Sequence, residues 1–177
     1  MPSETIASMK VAHVNPDIEA IFRAHYERIA RVARITGDPS RAEELAVEVF
    51  LKLWRTPQAQ GEKAGGWLYR AAVRRGLDEL RHRTRWARHE RLLALVRPRP
   101  STPEEICGAA EEQEQVRLVL STLHHRHAEL LLLRSDGLSY GEVAACLDLN
   151  PASIGTLLSR AQQAFRKEYI KRYGHQR

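Results

Sequence analysis

The sequence predicts an all-α protein of two small helical domains joined by a flexible linker. Three observations carry that expectation. Apolar residues recur at spacings of three and four along most of the 177-residue chain, and no period-two strand alternation stands out. Three pairs, Asn15-Pro16, Asp38-Pro39 and Asn150-Pro151, put a helix N-cap residue before a proline at the first helical position. Midway, RPRPSTP (97–103) interrupts the helical pattern and marks a boundary.

Composition narrows the partners. Hydrophobic content of 43% with 28% charged residues is a soluble globular balance, and the net charge of +6 makes a polyanion the leading partner. The longest apolar run, Leu130 to Leu133, is far too short to span a bilayer, so no membrane insertion is expected. The first residues, MPSETIASMKVAHVN, lack a hydrophobic signal core, which predicts a cytoplasmic location. Cys107 and Cys146 stand alone and suggest neither a disulfide framework nor a zinc site.

Residues 1–14 read as a flexible arm. A helix opens at Asn15-Pro16-Asp17 and runs to about Thr36, stopped by Gly37. A second follows Asp38-Pro39, with Ala42, Leu45, Ala46, Val49, Phe50 and Leu53 on one stripe. Residues 57–66 are polar and glycine-rich, which predicts a loop. A third helix is expected from about Trp67 to Leu95, burying Leu68, Ala72, Gly76 and Leu80. On a wheel of about 100° per residue, Arg70, Arg74, Arg81, Arg85 and Arg88 fall within an arc of roughly 60° on another side. The linker is placed at 97–110. Beyond it the apolar stripe Val116, Leu120, Leu123 opens the second domain, and His125 to Arg134 forms another helix.

The last third holds the clearest local signal. Ser139 and Glu142 make an S-x-x-E capping box for a short helix carrying Val143, Ala144 and Leu147. Asn150-Pro151 then starts a longer helix with Ile154, Leu158, Ala161 and Phe165 inward. A short helix, a tight turn and a second helix with a basic end read as helix-turn-helix DNA recognition; an ordinary helical hairpin shares the spacing.

Three segments in order then resemble one family: DPSRAEELAVEVFLKLW (38–54), WLYRAAVRRGLDELRHRTR (67–85) and the helix-turn-helix at 137–165. They are similar to bacterial RNA polymerase sigma factors of the sigma-70 family, in the extracytoplasmic-function (ECF) group. The resemblance implies a sigma region 2-like helical bundle at 15–96 and a sigma region 4-like domain at 111–177. It implies binding to core RNA polymerase (β′ and β subunits) and to promoter DNA, with an anti-sigma factor as an inhibitor, no cofactor and no catalysis by the chain itself. The polymerase contact is carried to Glu44, Leu45, Glu48, Val49 and Leu53, on a helix that docks against a coiled coil of β′. Contact with the −10 element, and strand opening there, falls to Trp67, Arg70, Arg74, Arg81 and Arg85. Where this chain has Arg74, family members usually have Asn. The −35 element falls to Ser153, Thr156, Ser159, Arg160, Gln163 and Arg166. Gly155 and Leu157 stand where many members carry Lys and Arg, which removes bidentate guanine contacts there.

Some alternatives stay open. Trp67 reads either as a stacking platform for an unpaired base or as a core anchor. His124, His125 and His127 form either a sensor cluster or a solvated helix start. A freestanding helix-turn-helix regulator would not need the acidic-apolar helix at 41–54. A nuclease would need Glu43, Glu44, Glu48 and Asp78 to converge on a metal, and no catalytic motif supports one.

Overall fold

The computed structural model describes residues 16–94 and 108–174, all helices and short connections. The expected N-terminal arm, the Asn15 cap, Cys107 and the linker from 97 to 107 lie outside the described residues. Among the described residues, seven α-helices run in the order α1 (Pro16–Ala33), α2 (Pro39–Trp54), α3 (Ala64–Ala94), α4 (Gly108–Thr122), α5 (His125–Ser135), α6 (Tyr140–Leu147) and α7 (Pro151–Tyr173).

Local chemistry sets these boundaries. A 3-10 turn, Arg34–Thr36, closes the first helix at Gly37, whose φ of 80° favours a residue without a Cβ. Asp38 caps α2 by accepting from the backbone N–H of Ser40 at 3.0 Å and of Arg41 at 3.3 Å. The Ser139–Glu142 box is reciprocal. The Glu142 N–H donates to the Ser139 hydroxyl at 3.3 Å, and the Ser139 N–H donates to the Glu142 carboxylate at 2.7 Å. Asn150 caps α7 through its side-chain oxygen, 3.0 Å from the Ala152 nitrogen. Between α6 and α7 the chain reverses through Asp148, which is left-handed at φ 55°. Aspartate tolerates that conformation better than most residues.

The long helix α3 is the spine. Its 31 residues span about 46 Å at the usual rise per residue. Leu68, Ala72, Val73, Leu77 and Leu80 are all buried along it. It packs against α1 and α2 on one side and against α4, α5 and α6 on the other. The two halves therefore share one apolar core, with Ile29, Phe50, Leu68 and Leu77 in the same cluster as Leu130, Leu133, Val143 and Ile154. Separate cores were expected from the proline-rich break. That break divides the chain locally but says nothing of how the halves then pack.

Two boundaries move. The loop expected at 57–66 is shorter, because a 3-10 turn forms at Pro57–Ala59 and α3 begins at Ala64. One glycine behind that expectation serves packing: a Cβ on Gly65 would lie 2.9 Å from the His25 ring. Likewise α4 starts at Gly108, inside the stretch assigned to the linker.

Candidate functional site

Three surfaces carry the residues expected to act, and the fold treats each differently. On α2, Ala42, Leu45, Ala46, Val49, Phe50 and Leu53 are all buried. Leu45, Val49 and Leu53, at 1%, 3% and 0% exposure, hold the bundle together and have no surface to offer a partner. This corrects their assignment as partner contacts: the best helical stripe on α2 is consumed by the core. The apolar side chains that do reach the surface are Val47, Leu51 and Trp54, at 44%, 46% and 45% exposure. Their spacing of four and three places them on one outward face. Sequence reasoning passed over this second row because the first row matched the helical template so well.

Acids flank that row. Glu43, Glu44 and Glu48 are exposed on α2. Arg41 donates to Glu44 at 2.7 Å, to Glu48 at 3.0 Å and to Glu79 of α3 at 3.1 Å. Arg75 completes the network, 3.1 Å from Glu48 and 3.3 Å from Glu79. The Arg41 hydrogen bond holds the Glu79 carboxyl below the usual glutamate range, and these bonds push the Arg41 guanidinium further up. The network ties α2 to α3 and fixes the acidic side of the outward face.

The basic face of α3 is divided. Arg85 and Arg88 are exposed. Arg70, Arg74 and Arg81 instead reach the second half of the chain. Arg70 donates to the Cys146 carbonyl of α6. Arg74 donates through Nε to Glu129 of α5 at 2.7 Å. Arg81 donates to the carbonyls of Ser121 at 3.3 Å and Leu123 at 3.1 Å, and to Nδ1 of His125. All three are therefore engaged by the second half in this conformation, although Arg74 stays exposed, with 48% of its side chain accessible. The wheel gave their shared direction, and the packing decided what lies in that direction. Trp67 is half-buried and packs against the apolar cluster, which favours the anchor reading.

Glu129 escaped the sequence reading. It is 1% exposed, the one buried charged side chain among the described residues. Nε2 of His125 lies 3.1 Å from the same Glu129 oxygen that Arg74 meets. With Nδ1 accepting from Arg81, the network assigns the ring proton to Nε2, which then donates to Glu129. Arg74, Arg81, His125 and Glu129 thus form one chain of contacts. A glutamate within the apolar run AELLLL was the available signal. The other two histidines have local uses: His124 caps α5 by accepting from the Arg126 N–H at 3.3 Å, and its ring meets His127 edge-on.

Nearby, burial pushes the Cys146 thiol up to about 11. Tyr69 of α3 faces Asp136 at the end of α5. Burial raises the pKa of both groups, and the Asp136 charge raises the phenol further. Among the described residues, no group of three or more His, Cys, Asp and Glu is placed to hold a metal ion. None of their helices is long and apolar enough to cross a membrane.

The helix-turn-helix is built as expected. Val143, Ala144 and Leu147 of α6 share an apolar cluster with Ile154 and Leu158 of α7, and Ala161 is buried on the same helix. Ser153, Thr156, Ser159, Arg160, Gln163 and Arg166 are all exposed along α7. Leu157 packs partly buried against the core.

A helical bundle followed by a helix-turn-helix with an open polar face defines a DNA-binding class of fold. Comparison with known proteins narrows it. The Sigma-70 region 2 family matches residues 21–86. The ECF RNA polymerase sigma factor SigL of Mycobacterium tuberculosis is 30% identical over 83% of this chain and 86% of its own length. SigE of Mycolicibacterium smegmatis, also an ECF RNA polymerase sigma factor, is 29% identical over 89% of this chain, which spans 63% of that protein. The chain belongs to the ECF sigma factors of the sigma-70 family. Its fold is also that of the sigma factor RpoE from Bartonella quintana, solved with the anti-sigma factor NepR, at a TM-score of 0.52 and 17% identity over 86% of this chain and 96% of that one.

Proposed function

We propose that this chain binds core RNA polymerase and directs it to promoters, with no catalysis of its own. The outward face of α2 is the docking surface: Val47, Leu51 and Trp54 supply apolar contact, and Glu43, Glu44 and Glu48 supply acids for a basic partner helix on the β′ subunit. That face carries the reading, because a DNA-binding regulator working alone has no use for an exposed acidic-apolar helix face far from its helix-turn-helix.

DNA contact is divided between the two halves. The arginines of α3, with Arg85 and Arg88 open to solvent, suit phosphate neutralisation near the −10 element and support strand opening. The open face of α7 suits the major groove at the −35 element. There Ser153, Thr156, Ser159 and Gln163 offer hydrogen bonds, and Arg160 and Arg166 anchor phosphates. With Leu157 turned inward and Gly155 without a side chain, direct base readout is thin and DNA shape contributes more. Work on the polymerase places the chain in the cytoplasm. An inhibitory partner of the anti-sigma kind fits the same surfaces; the sigma factor RpoE was solved in complex with an anti-sigma factor, NepR.

The test is co-elution of the purified chain with bacterial core polymerase at moderate salt, followed by run-off transcription. A complex that initiates at defined start sites supports the reading. Duplex binding without a polymerase complex would replace it with a freestanding regulator.

A further inference from the structure

We infer that Trp86, on the distal stretch of α3, is a stacking platform for an unpaired base of single-stranded DNA. The inference deepens the reading of α3 as a DNA-contacting helix and rests on it. Leu80 is the last buried side chain of α3 among those described, and about 20 Å of helix runs on past it to Ala94. Trp86 stands on that extension at 57% exposure, more open than any other large apolar side chain among the described residues. Trp67, the tryptophan whose sequence position suggested stacking, packs instead against the apolar cluster.

The setting of the indole decides what it can offer. Its Nε1–H donates to Nε2 of His82 at 3.1 Å, one turn earlier on the helix. His89, three residues on, meets the ring edge-on, with centroids 6.4 Å apart. The one polar group of the indole is thus satisfied by its own helix, and what is left for a partner is a flat π surface.

Charge selects that partner. From Arg81 to His89 the sequence RHRTRWARH holds four arginines, two histidines and no acid. The nearest preceding acid, Glu79, is already bonded to Arg41 and Arg75. Arg83, Arg85 and Arg88 are exposed. At 3.6 residues per turn, Arg83 lies about 60° round the helix from Trp86 on one side and Arg85 about 100° on the other. An aromatic face between cationic side chains suits a strand whose phosphates meet the arginines while a base stacks on the ring. Bases in a duplex are already stacked on one another, so only a single strand can use the indole.

The full chain is titrated at low salt into a fluorescein-labelled oligothymidine strand and, separately, into a duplex of the same length, both read by anisotropy. Trp86→Ala should weaken single-strand binding by roughly 5- to 100-fold, the worth of stacking one base, and change duplex binding by less than about twofold. Its thermal midpoint should match wild type, because the side chain is exposed. Trp86→Phe keeps a smaller π face and should recover most of the affinity. It should also abolish the quenching of tryptophan fluorescence that the strand causes in wild type. Arg85→Ala should weaken both ligands and reduce the salt slope by about one. If Arg85→Ala weakens binding and Trp86→Ala does not, stacking is refuted while the DNA reading of α3 stands. Equal losses on strand and duplex from Trp86→Ala would refute it as well. A Trp86→Ala chain that binds the strand normally but core polymerase more weakly would assign the indole to a protein surface instead. If Arg85→Ala affects neither ligand, the DNA reading of α3 has failed and the platform falls with it.

Discussion

Two leucines on one helix separate the proposed docking face from the core. Leu51 is 46% exposed and Leu53, two residues on, is 0% exposed. A fully buried leucine cut to alanine leaves a cavity and costs about 2–5 kcal/mol of folding stability. An exposed one costs within about 0.5 kcal/mol. Burying the remaining half of Leu51 against a partner is worth roughly 1 kcal/mol, from the ~1.5–3 kcal/mol of a whole large apolar side chain, and Trp54 contributes at least as much. The double variant Leu51→Ala/Trp54→Ala should therefore fold with an unchanged urea midpoint, yet bind core polymerase about 30- to 100-fold more weakly, the equivalent of ~2–3 kcal/mol. Leu53→Ala should lower the midpoint sharply. At temperatures where it stays folded, its affinity should be close to wild type. Urea denaturation and titration of labelled core enzyme measure both quantities. Wild-type polymerase affinity in the double variant, or a loss of stability matching Leu53→Ala, would refute the assignment of the outward row.

Other consequences follow from single contacts. Gly76→Ala places a Cβ 2.8 Å from Ile35 Cγ2; the overpacking, about 1–3 kcal/mol, outweighs a helix-propensity gain of about 1 kcal/mol, so thermal melting should shift down. Asn150→Ala removes the cap of α7 and should cost about 1 kcal/mol by denaturant titration, with a matching loss of duplex affinity if α7 is the reading helix. Glu79 has a depressed pKa, so its contribution to stability is full above the ordinary 4.5 and is lost as pH falls through the lower folded value. Glu79→Gln should remove part of the acid-side decline measured by urea titration across that range. In a Cys107→Ser background, Cys146, buried with its pKa at about 11, should resist iodoacetamide at pH 8 until denaturant is added, which mass spectrometry reads directly.

Much of this architecture was legible because it is written locally. Asp38, the Ser139–Glu142 pair and Asn150 each announce a helix start through an acceptor two or three residues from the N–H it satisfies. The same holds for inward faces: Leu68, Ala72 and Leu80 on α3, and Ile154, Leu158 and Ala161 on α7, were readable from period alone, as was the open polar face of α7. Where a glycine signal misled, at Gly65, a close approach by His25 from another helix was the cause.

By itself, then, the sequence determined the helices, their caps, their apolar faces and the family resemblance, all properties of a few consecutive turns. Tertiary structure alone decided which of two apolar rows on α2 is left for a partner, because a core takes whichever row its neighbours can cover. It also decided that Arg74 meets Glu129, 55 residues away, and that Arg81 meets His125, 44 residues away. A periodic pattern gives the direction in which a side chain points, and only the packing of distant segments supplies what it points at.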